Sequence, residues 1–314
     1  MPVQVPQYLK EEEMRTIPLS FAALALAAWM TLGTSPAAPE ESVALAFEGH
    51  ISVPGLKLWV TDTGGTGQAV VFLHSNAVSS RLWEKQVPAF AAAGYRVITY
   101  DRRGWDRTIV EEGYWDQPGS APDDLLALLD VLGIDRAHLV GIAGGAGVAL
   151  DFAVSYPKRA RSLSVINHSF GGIRDPEFLG LNARLRPQPQ FGRMPPEFRE
   201  LGLSYQARDP EGTKHWLELE HLARPPAAQR PPAQRRKNDL SLATLGNQVK
   251  VPTMVTAADA DLFLPPEVMR MVAARIPNVH TAVFEDSGHN TGWEHPEAFN
   301  RAVLNFIGRA LVLH

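Results

Sequence analysis

A glycine-rich turn in the middle of the chain carries its clearest chemical signal. An apolar run ends in Gly141-Ile142-Ala143-Gly144-Gly145, and a helix-forming run starts immediately afterwards. A strand, a very tight turn and a helix in this order make a strained corner, where side chains larger than glycine on either side would collide with backbone. The pattern Gly-x-Ser-x-Gly places a serine nucleophile at such a corner. Position 143 is alanine instead, and its methyl group cannot attack a substrate.

Hydrolysis by a serine needs two further groups, an imidazole that takes the hydroxyl proton and a carboxylate that orients the imidazole. Near the carboxyl end, the chain has a histidine in Ser287-Gly288-His289-Asn290, between a predicted strand and a terminal helix. Two carboxylates, Asp259 and Asp261, stand in a loop that ends at Pro265. Together with the glycine turn, these segments resemble the α/β-hydrolase superfamily over most of residues 46–313.

The resemblance implies an assignment of the catalytic groups, which follow the chain order serine, acid, histidine in this superfamily. Ala143, Asp261 and His289 match that order. Asp261 is preferred over Asp259 because its spacing to Pro265 matches the family's Gly-x-x-Asp-x-x-x-Pro loop, although Ala258 replaces the glycine.

The loop after the strand at 69–74 is the candidate for binding a developing oxyanion. Its sequence His74-Ser75-Asn76-Ala77 resembles the family's His-Gly-x motif, with Ser75 in place of glycine. By this match, the backbone amides of Asn76 and Gly144 would form the oxyanion hole. Ser75 or Ser79 as a replacement nucleophile is the weaker alternative, because neither stands on a strained elbow.

Several residues near the predicted strand ends and in the following segment are candidates for contacting the substrate. The alternative for the aromatic members is that they form a small apolar core, which is the commoner role of such residues. The candidates are Ser75, His168, Phe170, Tyr205, Trp216 and Trp293.

Strands and helices alternate along most of the chain, which predicts an α/β fold with a mostly parallel sheet. The run Val70-Val71-Phe72-Leu73 is typical of a central strand buried on both faces. Residues 81–93 follow helical spacing and predict a single helix. The rhythm stops between 171 and 249, where helical pieces such as 210–222 remain and Asp209 is placed to cap that helix. We therefore predict a core of residues 46–170 and 250–314 and a helical cap inserted at 171–249.

Residues 1–45 stand apart from this pattern. Arg15, an apolar run at 21–32 and Ser35-Pro36-Ala37 are typical of a signal peptide that begins at Met14. This interpretation predicts a secreted or periplasmic protein. The alternative is a cytoplasmic protein whose amino-terminal helix docks on its own body or on the second subunit of a homodimer. Membrane association is expected only through this segment, if it is not cleaved.

The composition excludes several classes of site. The 314 residues include no cysteine, which excludes disulfides, thiolate metal sites and a cysteine nucleophile. The spacing Gly-x-Gly-x-x-Gly of dinucleotide sites is not met, since Ala143 and Ala146 occupy two of the glycine positions. A formal net charge of -4 gives no sign of nucleic-acid binding. We expect no cofactor and no metal, and a small-molecule ester or lactone as the partner.

Two explanations of Ala143 remain open. In the first, the chain is a serine hydrolase in which alanine replaces the nucleophile, so that a substrate would be bound intact. In the second, the protein uses the pocket to bind a ligand or to guide a non-hydrolytic, cyclase-like reaction.

Overall fold

The structure is a computed structural model, and it describes residues 43–170, 173–185, 190–225 and 231–312. The predicted signal peptide or docked helix in residues 1–45 lies almost entirely outside the described residues. None of the described helices is long and apolar enough to cross a membrane.

The described strands form one mostly parallel sheet in the order β1-β2-β4-β3-β6-β7-β8-β9, with β5 paired to β2. The strand β3 lies between β4 and β6 and is parallel to both. Only the pairings of β2, with β1, β4 and β5, are antiparallel. The strands are β1 (Phe47–Val53), β2 (Leu56–Asp62), β3 (Ala69–Leu73), β4 (Arg96–Tyr100), β5 (Ile109–Val110), β6 (Ala137–Ile142), β7 (Ala160–Ile166), β8 (Thr253–Ala258) and β9 (His280–Phe284).

Helices cover both faces of the sheet, and a group of them follows β7 before the sheet resumes at β8. The helices are α1 (Gln86–Ala92), α2 (Ala121–Val131), α3 (Gly144–Ser155), α4 (Pro176–Leu185), α5 (Pro196–Glu200), α6 (Leu203–Arg208), α7 (Pro210–Ala223), α8 (Leu242–Gln248), α9 (Pro266–Ala273), α10 (Thr291–Glu294) and α11 (Pro296–Val312). The predicted α/β-hydrolase fold is therefore confirmed. The segment predicted as a cap contains α4 to α8, and its separation as a domain stays a prediction.

The central strand β3 has every side chain buried. Val71 and Leu73 join the apolar cluster that includes α2, α3 and α9, whereas Val70 and Phe72 join the cluster that includes α1 and α11. Successive side chains of a strand point to opposite faces. The continuous apolar run in the sequence is thus explained by two separate layers of core.

The single helix predicted over residues 81–93 is wrong. The structure has a short 3-10 turn at Ser80–Trp83 and then α1, which begins at Gln86. Pro88 lacks the backbone N–H that an uninterrupted helix would need there, and proline is tolerated only in a first helical turn. Beginning α1 at Gln86 places Pro88 in that turn.

Candidate active site

The glycine turn forms the predicted elbow between β6 and α3. Ala143 has φ 50° and ψ -114°, a conformation that a residue with a side chain rarely adopts. Its backbone N–H donates to the carbonyl of Ile166 on the neighbouring strand at 2.9 Å. A side chain at Gly145 would place its Cβ 2.1 Å from the carbonyl oxygen of Leu73, so only glycine allows α3 to approach β3 this closely. The elbow has the strained geometry predicted from the glycine turn, although residue 143 has no hydroxyl group.

Asp261 and His289 lie beside each other at the same edge of the sheet. Asp261 follows β8 and His289 follows β9, and His289 Nδ1 donates to Asp261 Oδ2 at 2.7 Å. The other carboxylate oxygen of Asp261 accepts from the backbone N–H of Phe263 at 2.7 Å. Both side chains are buried. These contacts hold the proton on Nδ1 and leave Nε2 as the nitrogen that can accept a proton from a reacting group.

Asp259, the competing carboxylate, is exposed and does not take this position. Its Oδ1 accepts instead from the backbone N–H of Ser287 at 3.4 Å. The structure thus pairs His289 with the carboxylate that the loop spacing favours. The catalytic roles of both residues stay predictions.

The loop after β3 is held by its own polar groups. The Ser75 hydroxyl accepts from the backbone N–H groups of Ala77 and Val78, at 3.0 and 3.2 Å. His74 Nε2 accepts from the backbone N–H of Arg102 at 3.0 Å, so its Nδ1 carries the proton and donates to the Ser75 carbonyl. Burial holds the pKa of His74 well below its usual value and keeps the ring neutral. Ser75 therefore shapes the loop, while the Ser79 hydroxyl donates to Asp106 at 2.8 Å.

Asn76 lies directly over the start of α3. A Cβ added at Gly144 would lie 2.2 Å from Asn76 Oδ1, so the two residues that the resemblance assigns to the oxyanion hole are adjacent. Arg102 Nη2 donates to Asn76 Oδ1 at 2.8 Å, and Arg224 Nη2 donates to the Asn76 carbonyl oxygen. These bonds fix both the side chain and the backbone of Asn76.

One cavity of about 700 Å³ brings these groups together. Its wall includes Ala143, His289, Asn76 and Gly144. Because the strands that precede them are parallel, their carboxyl ends meet at one edge of the sheet, which is where ligands bind in open α/β sheets.

The comparisons with known proteins agree with this geometry. A family model described as alpha/beta hydrolase fold matches residues 68–296, which is more than half of the chain. The chain belongs to the α/β-hydrolase family. A 2-hydroxy-6-oxononadienedioate/2-hydroxy-6-oxononatrienedioate hydrolase of Paraburkholderia phymatum is 31% identical over 282 residues, covering 81% of this chain and 92% of that protein.

Two further similarities fall in the same α/β-hydrolase family. A Mycobacterium tuberculosis protein named as a non-heme bromoperoxidase is 30% identical over 257 residues, covering 78% of this chain and 96% of that protein. A thermophilic esterase from Thermogutta terrifontis, solved with malate bound, has a TM-score of 0.66 at 25% identity, covering 85% of this chain and 99% of that one. The relatives are named for different reactions, so the family is established and the substrate is not.

The predicted substrate contacts divide into two groups within this α/β-hydrolase site. Ser75 and His168 line the cavity. The four aromatic candidates do not line it and are buried in the apolar clusters instead, because packing a large ring removes more apolar area from water than leaving it at a polar wall. They are Phe170, Tyr205, Trp216 and Trp293.

His168 sits beneath the elbow. Its ring bonds to the backbone of Ala143 and stacks edge-on against Phe170 at 5.0 Å between ring centroids. Burial, with the charge of Arg236 nearby, lowers the pKa of His168 to about 3. The ring is neutral at ordinary pH and acts here as a hydrogen-bonding support.

The sequence analysis did not select the charged residues of the cavity wall, and Arg102 and Glu200 are two examples. Arg102 lies two residues after Tyr100, which ends β4, and its place at the carboxyl end of a parallel strand was a signal that could have found it. Glu200 ends α5 in the inserted segment, where no motif points to it. Its Oε2 accepts from Asn290 Nδ2 at 3.1 Å, and burial raises its pKa although His289 is nearby.

Proposed function

We propose that this chain has the active site of a hydrolase that acts on a carboxylic ester or a lactone. Alanine stands at the position of the attacking serine. The observation that carries the proposal is the buried hydrogen bond of 2.7 Å between Asp261 and His289, in the cavity that Ala143 also lines. A protein that only binds a ligand has no need of an oriented base beside a strained elbow. The esterase similarity supports this choice of bond.

The proposed mechanism assigns one task to each group. With serine at position 143, His289 would take the hydroxyl proton as the oxygen attacks the carbonyl carbon, and would return it to the leaving alcohol. Asp261 would orient His289, and the amides of Asn76 and Gly144 would hold the oxyanion. With alanine at this position no acyl-enzyme forms, and the ester is bound intact.

The deciding experiment is Ala143→Ser, assayed on activated short-chain esters and on a set of lactones. The panel includes 2-hydroxy-6-oxononadienedioate, because relatives are named for its hydrolysis. Loss of the serine in comparable triads lowers turnover by about a million-fold, so we expect hydrolysis to rise by several orders of magnitude.

Matched second substitutions locate the activity. In the Ala143→Ser background, His289→Ala and Asp261→Asn should each remove most of the gain, whereas Asp259→Asn should leave it in place. A serine variant that stays inert on the whole panel would contradict the proposal.

A second candidate is a non-hydrolytic reaction on the same scaffold, and the observation that favours it is Ala143 itself. His289 would then take a proton from a carbon next to a carbonyl group, and the enolate oxygen would be held by the amides of Asn76 and Gly144. The discriminating result is a reaction of the unaltered Ala143 protein that is lost in His289→Ala and is not increased by Ala143→Ser.

A further inference from the structure

The cavity wall is rich in arginine. Among the described residues it contains six arginines and three acidic residues. The arginines are Arg102, Arg103, Arg199, Arg224, Arg235 and Arg236, and the acidic residues are Asp151, Glu200 and Glu220. Such a wall favours a negatively charged ligand.

Arg102 is a buried cation without a carboxylate partner in the described part of the chain. Its residue is 8% exposed, and its Nη2 donates to two uncharged groups, the Ser75 carbonyl and Asn76 Oδ1, both at 2.8 Å. Its Nε is buried with no acceptor among the described residues. Burial lowers the pKa of Arg102 to about 10, with Arg224 adding repulsion, so the group is still charged at neutral pH.

The neighbouring Arg103 shows the usual arrangement. It is equally buried, and its Nη2 donates to Asp124 Oδ1 at 2.9 Å while its Nε donates to the other oxygen. A buried charge is costly unless an opposite charge compensates it. Of these two adjacent arginines, Arg103 pairs with a carboxylate, whereas Arg102 pairs with no carboxylate in the described part of the chain.

Arg224 brings a second positive charge to the same place. It follows α7, donates to the Asn76 carbonyl oxygen, and lies 4.9 Å from the centre of the Trp105 ring. The Arg102 guanidinium lies 5.3 Å from the same ring. Asn76 and Trp105 thus hold two like charges near each other, and an anion placed beside both would be attracted to both.

We propose that Arg102 and Arg224 form a binding site for a carboxylate group of the small-molecule ligand. The site lies in the cavity that Ala143 and His289 line, and the assignment of this ligand as a substrate rests on the proposed function. A guanidinium group presents parallel N–H donors that match the two oxygens of a carboxylate. The substrate class is then an ester or lactone that carries a free carboxylate.

The experiment compares ligands that differ in one charge. Monoethyl and diethyl esters of succinate, adipate and sebacate are titrated into the Ala143 protein by calorimetry. We expect at least one monoester to bind about tenfold or more tightly than its diester, which corresponds to the loss of about 1.4 kcal/mol without the carboxylate. Equal affinity of every pair, or no binding of any monoester, would overturn the proposal.

Substitutions place the carboxylate. The substitutions Arg224→Gln and Arg102→Lys should each reduce the ratio of monoester to diester affinity by about fivefold or more. The control Arg208→Gln removes the same charge from α6, outside the cavity wall, and should preserve the preference. An equal loss in Arg224→Gln and Arg208→Gln would overturn the assignment. If inorganic phosphate competes as strongly as acetate, the site binds anions in general. The assignment to a carboxylate is then overturned.

Failure of this inference is distinguishable from failure of the proposed function. An Ala143→Ser variant that hydrolyses diesters faster than monoesters would support the hydrolase and overturn the carboxylate site. If Ala143→Ser is inert but monoester binding depends on Arg102 and Arg224, the carboxylate site is supported. The proposed hydrolase function is then contradicted.

Discussion

At the scale of single residues, the buried histidines His74, His168 and His289 differ in their surroundings. His289 is oriented by a carboxylate, whereas burial lowers the pKa values of His74 and His168. A histidine with a carboxylate partner can accept a proton during a reaction. Burial beside arginines favours the neutral form of His74 and His168, and each ring supports the loop or the elbow through its hydrogen bonds.

This difference predicts a pH dependence of stability that His168 controls. The folded-state pKa of His168 is about 3, below the usual 6.5, so at pH values between these two the unfolded chain binds up to one more proton than the folded chain. The free energy of unfolding should therefore fall as the pH decreases through that window. His168→Gln should remove about 1.4 kcal/mol of this fall per pH unit well below 6.5.

Urea unfolding of both proteins between pH 7 and pH 4 measures the effect. The other buried histidines titrate in both proteins, so the difference between the two curves belongs to His168. Parallel curves would show that His168 is already protonated in the folded state or exposed in it.

At the scale of elements, the elbow joins β6 and α3 at a backbone conformation that suits glycine better than alanine. Ala143 keeps φ at 50°, and a side chain in such a region costs about 1–3 kcal/mol. With serine at this position, the strained turn would expose a reactive hydroxyl group. Alanine retains the strain without a hydroxyl group.

We therefore expect Ala143→Gly to stabilise the protein. Relief of strain should exceed the extra entropy that glycine gives the unfolded chain, about 0.4–1 kcal/mol, for a net gain of about 1 kcal/mol. The matched control is Ala146→Gly, one turn later in α3, which should cost about 1 kcal/mol or more. Denaturant unfolding measures both, and a loss of stability in Ala143→Gly would contradict the argument.

Local sequence patterns predict some helices of the inserted segment and miss others. Asp209 caps α7 as predicted, since its Oδ1 accepts from the backbone N–H of Gly212 at 2.8 Å. Capping depends on residues three positions apart, and the sequence displays it directly. The sequence analysis did not identify the helices α4 and α8, because they lie in a segment where strands and helices do not alternate.

At the scale of the whole molecule, the inserted segment is tied to the core by buried carboxylates. Asp151 of α3 accepts from the backbone N–H groups of Lys237 and Asn238 at 2.9 and 3.1 Å. Glu294 of α10 accepts from the N–H groups of Gly202 and Gly288, next to His289. The cavity therefore depends on contacts between parts of the chain that are far apart in sequence.

Asp151→Asn should loosen this attachment. An amide offers only one acceptor oxygen where two backbone donors converge, and an unmade bond to a buried charged group costs about 1.5–3 kcal/mol. We expect a loss of about 2 kcal/mol and faster hydrogen exchange at the amides of Lys237 and Asn238.

The control is Lys237→Ala, which removes the exposed ion pair with Asp123 and leaves the backbone N–H groups in place. It should cost less than about 1 kcal/mol. Equal effects of the two substitutions would mean that Asp151 does not anchor the segment.

The sequence by itself determined the fold and the order of its motifs. The apolar run of β3, the glycines around Ala143 and the loop between Asp261 and Pro265 are local patterns, and each is dictated by geometry within a few residues. The pairing of Asp261 with His289 also followed, because parallel strands bring their carboxyl ends to one edge.

Only the tertiary structure decided which side chains enter the cavity. It placed Trp216 and Trp293 in the core, and it placed Arg102 and Glu200 in the wall. Such contacts join residues that are far apart in the sequence, as in Asn290 and Glu200, which are 90 positions apart, and no local pattern encodes them. The charge of the cavity wall comes from side chains that are far apart in the sequence, so only the folded structure shows it.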